Sequence, residues 1–138
     1  MDIDGITLPE LNSLIERTGN TIRMISDDNV KIELRGMKGS LGEMRVALVE
    51  LENLEDKHSR GGVTSDIYFD RRMKLVRDFY TAKDEISSKV IPSIADSAPT
   101  SDERSGIMKF KELIKSKREF IAMAVDFLLT VAKIFART

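Results

Sequence analysis

The chain has 138 residues, of which 33% are charged and 6% aromatic, and its formal net charge is −1. It contains no cysteine, which excludes a disulfide framework, a thiolate metal site and a cysteine nucleophile. A net charge close to zero provides no global field that would draw the protein to nucleic acid or to an acidic membrane. The length and composition fit one helical domain, which we expect to be cytoplasmic.

The first predicted helix begins at Thr7. Thr7 and Glu10 have the spacing of a capping box, and Pro9 lies in the first turn, where its missing N–H is tolerated. Apolar residues continue at steps of three and four, and the polar run 26–29 is expected to separate this helix from the next one.

The second predicted helix contains the most regular pattern in the chain and is expected to extend to about His58. Its apolar residues are separated by alternating steps of four and three, which is the spacing of a helix packed along its length on another helix. These seam residues are Val30, Leu34, Met37, Leu41, Met44, Leu48 and Leu51.

Two interpretations of residues 30–42 remain open. Val30, Ile32 and Leu34 also alternate with charged residues, which is typical of a strand. The glycines at 36, 39 and 42 each weaken a helix by about 1 kcal/mol relative to alanine. The segment is therefore either part of the long helix, with the glycines on the side away from the seam, or a short strand followed by a glycine loop.

The third predicted helix follows a glycine turn at residues 59–62 and has Thr64 as its N-cap. A short turn between two charged helices predicts an antiparallel hairpin. The side chains expected to be buried are Tyr68, Leu75, Phe79, Ala82 and Ile86, with Met73 and Val76 beside them.

A flexible loop is predicted over residues 91–99, because Pro92 and Pro99 bracket a run of small residues. Thr100 and Glu103 then have capping-box spacing and begin a C-terminal apolar helix within 100–138. We therefore predict one domain over 1–138, with the N-terminal helices and hairpin in 7–90. Its fold class is all-α, a helical bundle of three to four long helices with a central antiparallel coiled-coil-like hairpin.

The C-terminal half of the last helix is apolar on more sides than a single stripe. An apolar surface this wide predicts a helix that is covered on most sides, either by a second copy of the chain or by the other helices of the same chain. We take a homodimer as the working hypothesis. Its expected interface consists of Phe120, Ile121, Ala124, Phe127, Leu128, Val131, Ile134 and Phe135.

The residues that could carry catalysis form no recognisable constellation. Glu55 and His58 have the Glu-x-x-His spacing of di-iron helix bundles, but such sites need two pairs and this chain has one histidine. The carboxylates of the second and third helices are interleaved with lysine and arginine, as on a solvated helix face. We expect no enzyme activity and no cofactor, and a metal-dependent hydrolase is the third-ranked hypothesis.

Two basic clusters support an alternative function of a different class. One consists of Arg71, Arg72, Lys74 and Arg77, and in the other Lys111, Lys115 and Arg118 fall on one helical face. Such a face can neutralise phosphates, so the alternative is a polyanion-binding module such as a small subunit of a nucleoprotein complex. The favoured prediction is a non-catalytic interaction or assembly protein that self-associates and has an unknown protein partner.

Overall fold

The computed structural model describes residues 2–115 and 119–136, and 85% of these residues are helical. Within those ranges there is no strand, and the only β-type pairings are isolated bridges of Ile3 with Ile6 and of Ile25 with Ala136. The fold is all-α, as the sequence predicts. The elements are α1 (Leu8–Met24), α2 (Asp28–Ser59), α3 (Ser65–Glu85), a π-helical turn (Ile86–Val90), α4 (Ile91–Asp96), α5 (Ser101–Lys115) and α6 (Phe120–Phe135).

The helix starts form where the capping residues predict them. At Thr7 the capping box is complete, with the backbone N–H of Thr7 donating to Glu10 Oε1 at 3.1 Å. Asp27 accepts a hydrogen bond from the N–H of Val30, and Thr64 accepts one from the N–H of Ile67. These side chains satisfy amide groups that have no partner within the first turn of a helix.

The glycine-containing segment belongs to α2, so the interpretation of residues 30–42 as a strand and loop is wrong. All seven seam residues have at most 1% of their surface exposed, which explains why tertiary packing outweighs the low helix propensity of glycine. A Cβ atom built at Gly36, Gly39 or Gly42 would have no atom within 4 Å. The glycines therefore lie on an open side of the helix.

The loop predicted over 91–99 is wrong for residues 91–96, which are helical. The backbone stays in the right-handed helical region at Glu85, Ile86, Val90 and Ile91, so α3, the π turn and α4 form one continuous helix. Pro92 lies just after the wider π turn, which accommodates a residue that cannot donate an i→i−4 hydrogen bond. Counted in this way, residues 2–115 and 119–136 contain five helices, whereas the sequence predicts three or four.

The single helix predicted after Thr100 is also wrong, because α5 and α6 pack against each other. The ring centroids of Phe110 and Phe127 are 5.7 Å apart. In one straight helix, residues separated by 17 positions would lie about 25 Å apart along the axis. Phe110 and Phe127 therefore belong to two separate helices that pack against each other.

Helix α2 is the central element of the fold. It packs against α1, α3, the π turn and α4, while α6 packs against α1 and α5. Arg45 donates to Asn12 at 2.7 Å, and Lys38 lies beside Gly19, so α1 runs in the opposite direction along the first part of α2. The start of α6 lies beside α3, since the Nζ atom of buried Lys83 is 5.3 Å from the Phe120 ring centroid. None of the described helices is long and apolar enough to cross a membrane.

The N-terminal segment is held against α3 by one hydrogen bond. Asp4 and Gly5 have positive φ angles, which form a tight turn between the buried residues Ile3 and Ile6. The Tyr80 hydroxyl donates to Asp4 Oδ2. Burial, followed by this hydrogen bond to a carboxylate, raises the pKa of Tyr80 to about 12.

This pKa shift predicts a specific loss of stability at high pH. Between the ordinary tyrosine pKa of 10.0 and about 12, the unfolded chain loses a proton that the folded protein keeps, so the contribution is full below pH 10.0 and is lost as the pH rises towards 12. We expect the free energy of unfolding to fall more steeply over this range in the wild type than in a Tyr80→Phe variant. Urea titrations at several pH values measure both slopes, and equal slopes would contradict the assignment.

Candidate functional site

The candidate site is the part of α2 and α3 that extends past α1, which we define as residues 51–76 and call the outer end. Helix α1 begins four residues before Asn12, the partner of Arg45, so its run along α2 ends near Val49. Beyond that point Glu55 contacts Tyr68, so later residues of α2 meet earlier residues of α3. The buried side chains of the outer end include Leu51, Leu54 and Tyr68.

Two large apolar side chains are exposed on this outer end. Phe69 has 61% of its surface exposed and Met73 has 62%, the highest values for large apolar residues in the described part of the chain. They are four positions apart on α3 and therefore lie on one face of that helix. Val76 and Tyr80 continue the same stripe and are half-buried against the core. The stripe thus leads from the core of the bundle out onto an uncovered helix face.

A small polar network borders this face. The Tyr68 hydroxyl donates to Glu55 Oε1 at 2.6 Å, and the Arg72 guanidinium lies 3.7 Å from the same oxygen. The hydrogen bond to Glu55 is the main cause of a raised pKa at Tyr68. His58 stacks on the Tyr68 ring with 4.0 Å between centroids. These contacts hold the outer part of α2 and α3 in register.

The predicted metal-ligand pair lies in this network. Glu55 is occupied by Tyr68 and Arg72, and His58 is stacked on an aromatic ring. In the described ranges no group of three or more histidine, cysteine, aspartate or glutamate residues is arranged to hold a metal ion. Here Glu55 and His58 link α2 with α3.

The two helices of the outer end differ in charge. On α2, residues 50–56 contain Glu50, Glu52, Glu55 and Asp56 and no lysine or arginine. On α3, residues 71–77 contain Arg71, Arg72, Lys74 and Arg77 and no carboxylate. These two stretches are acidic on α2 and basic on α3, while Lys57 follows on α2 and Asp66 and Asp70 come earlier on α3.

The interface predicted on α6 is largely inside the chain, which corrects the sequence prediction. Five of its eight residues are buried by the other helices of the same chain, namely Phe120, Ala124, Phe127, Leu128 and Val131. The other three, Ile121, Ile134 and Phe135, are half-buried against the core. The apolar faces of α6 are thus covered by α1 and α5, and its first residue, Phe120, lies beside Lys83 of α3. This arrangement is the single-chain alternative. Only Leu129 stands out on α6 as an exposed large apolar residue, with 57% of its surface exposed.

Two of the three predicted polyanion-binding residues, Lys111 and Lys115, lie one turn apart on α5. Lys111 is half-buried, and Lys115 is 3.8 Å from Glu112 in an ion pair with the preceding turn. Arg118 lies outside the described residues.

Sequence reasoning missed the exposed stripe on α3. Met73 was expected beside the buried residues, whereas the structure exposes it. A signal was present, because Phe69, Met73, Val76 and Tyr80 repeat at steps of four, three and four, parallel to the buried series. Periodicity identifies both apolar faces but does not tell which of them the rest of the chain covers.

Comparison with protein-family models, with curated proteins and with solved structures gave no match.

Proposed function

We propose that the protein is a non-catalytic helical interaction protein that self-associates through its outer end, where α2 and α3 form an antiparallel coiled-coil-like hairpin. The observation that carries this proposal is the exposure of Phe69 and Met73 next to each other on an uncovered face of α3. Exposed apolar faces of this kind mark interaction sites on proteins. The proposal includes a cytoplasmic location, which the absence of cysteine favours.

The apolar patch is too small to hold a dimer together by itself. If association covers about 100 Å² on each of Phe69 and Met73, two copies together bury about 400 Å², worth about 10 kcal/mol at about 25 cal/mol per Å². Bringing two molecules together costs about 4–15 kcal/mol, so this patch alone gives a balance close to zero. Polar contacts around the patch must therefore decide the affinity.

Charge complementarity supports a second copy as the partner. In a two-fold dimer the same surface meets itself, so α2 of one copy can lie opposite α3 of the other. Glu55 on α2 and Arg72 on α3 border the Phe69–Met73 face, so each can then meet the opposite charge on the other copy. Opposite potentials of this kind fix the register of an interface and accelerate association.

Replacing the patch by charge is expected to disrupt the dimer. In the double variant Phe69→Glu/Met73→Glu, the dissociation constant should rise about 100-fold or more, because central apolar anchors each contribute about 2 kcal/mol. Light scattering coupled to size-exclusion chromatography over a range of protein concentrations measures the change. The matched control is Leu129→Glu, which places a charge at an equally exposed position on α6.

Two results would contradict the proposal. One is a wild-type protein that remains monomeric at every concentration tested. The other is a double variant that is as oligomeric as the Leu129→Glu control.

A further inference from the structure

A second surface lies on the opposite flank of the same two helices. Arg71 follows Phe69 by two residues and therefore points about 160° away from it around the helix axis. On that flank a cleft of about 410 Å³ is lined by residues that include Lys57, Arg71 and Lys74. A neighbouring cleft of about 660 Å³ is lined by residues that include Gly39, Glu43 and Asp78. Glu50 and Leu75 line both clefts, so the two form one groove between α2 and α3.

The groove has a cationic end that the chain leaves available. Lys57, Arg71 and Lys74 come from two helices and converge on one cleft, whose floor includes Leu54 and Leu75. None of these three cations forms an ion pair with a carboxylate of the described ranges. Three cations and one carboxylate, Glu50, line this cleft, which therefore carries a net positive charge beside apolar surface.

The other end of the groove has the opposite charge. Glu43, Glu50 and Asp78 line it, together with Val46 and Ala47. One cation, Arg45, also lines this end and donates a hydrogen bond to Asn12, so the carboxylates outnumber the cations there. A nucleic acid carries negative charge along its whole length and would meet these carboxylates. Among the described residues that line the two clefts, there is no aromatic side chain on which a base could stack. The charge pattern instead fits a ligand that is acidic at one end only.

The shape of the groove fits a helix. From Gly39 to Lys57 the groove follows α2 for 18 residues, about 27 Å at the helical rise of 1.5 Å per residue. The open space at Gly39 and Gly42 allows a neighbouring backbone to approach α2 closely. Docking of an amphipathic helix into a groove between two helices is a common mode of peptide recognition.

We infer that this groove binds an amphipathic helix of a partner protein, with acidic residues at the end that meets Lys57, Arg71 and Lys74. Basic residues at the other end of that helix pair with Glu43 and Asp78, and its apolar stripe covers Leu54, Leu75 and Val46. This surface is distinct from the Phe69–Met73 face, so the inference holds whether or not the protein self-associates.

The test begins with a phage-displayed library of 18-residue helices. Each peptide has leucine fixed along one face and a random choice of glutamate, lysine or glutamine at the remaining positions. Selection on the wild-type protein should enrich peptides with glutamate at one end and lysine at the other. Fluorescence anisotropy with the most enriched peptide then gives dissociation constants for the variants.

Three variants locate the peptide in the groove. Arg71→Glu/Lys74→Glu should weaken binding at least tenfold, whereas the matched reversal of two exposed lysines outside the groove, Lys109→Glu/Lys133→Glu, should change it less than twofold. Gly39→Leu should also weaken binding at least tenfold, because its side chain fills the groove. The melting temperature of Gly39→Leu should not fall, since a Cβ there meets no atom and leucine favours the helix.

The inference would be overturned by an absence of enrichment over the unselected library, or by enriched peptides without an acidic end. It would also be overturned by binding that survives both Arg71→Glu/Lys74→Glu and Gly39→Leu. A 24-base-pair DNA duplex serves as the competing probe. If the duplex binds more tightly than the selected peptide and loses affinity on the same charge reversal, the groove is a polyanion site instead.

Discussion

Replacing Phe127 with alanine is expected to lower the free energy of unfolding by about 3–5 kcal/mol, the range for truncation of a buried phenylalanine. Phe127 has 0% of its surface exposed and meets the Phe110 ring edge-on. Alanine would leave a cavity between α5 and α6 and remove the contact that holds these two helices together. Urea denaturation followed by circular dichroism measures the loss.

The same experiment decides whether α6 is a core helix or an interface. A core residue lowers stability equally at low and high protein concentration, whereas an interface residue gives a loss that depends on concentration. Leu129→Ala on the same helix is the control and should change stability by no more than about 0.5 kcal/mol, because Leu129 is largely exposed. A concentration-dependent loss at Phe127 would restore the interface predicted from the sequence.

Leu48→Ala is expected to cost about 2–5 kcal/mol, because leucine truncation in a core removes apolar contacts and leaves a cavity. Leu48 lies in the α2 seam with 0% of its surface exposed. Val46, two positions earlier on the same helix, has 52% exposed, so Val46→Ala should cost little. Chemical denaturation of the two variants under one set of conditions compares them directly.

The difference between these two variants tests the orientation of α2. The seam assignment requires the loss at Leu48 to be several times the loss at Val46. Equal losses would mean that α2 is rotated relative to its neighbours, and the exposed and buried faces of the outer end would then be assigned wrongly.

The regular part of the fold could be predicted because its signals are local. The three-four spacing from Val30 to Leu51 identifies the buried side of α2, and each seam residue is buried as expected. The caps at Thr7, Thr64 and Thr100 involve residues only three positions apart, so sequence spacing is sufficient to recognise them. Interactions of this range do not depend on how the helices are arranged.

The errors come from features that depend on the arrangement of the whole chain. Pro92 reads as a helix breaker, but the π turn before it lets the helix continue to Asp96. The wide apolar surface of α6 predicts a partner molecule because no local sequence pattern indicates that α5 packs on α6 and brings Phe110 onto Phe127. Once α5 covers that face, no second copy is needed there.

The candidate site could be predicted only in part. Arg71 and Lys74 were recognised as basic residues, but their convergence with Lys57 depends on the packing of α3 on α2. Phe69 and Met73 belong to a visible apolar stripe, yet their exposure follows from the point at which α1 ends beside α2. The sequence therefore contains the residues of both surfaces but not the boundary between covered and open faces.

The most direct test of self-association through the outer end is cross-linking of a single introduced cysteine. The chain has no cysteine of its own, so Met73→Cys provides one thiol at the centre of the proposed interface. With a short bismaleimide, Met73→Cys should form a covalent dimer in high yield, while Leu129→Cys, at an equally exposed position, should give little covalent dimer. Equal cross-linking of the two variants, or none in Met73→Cys, would contradict a dimer that meets at this face.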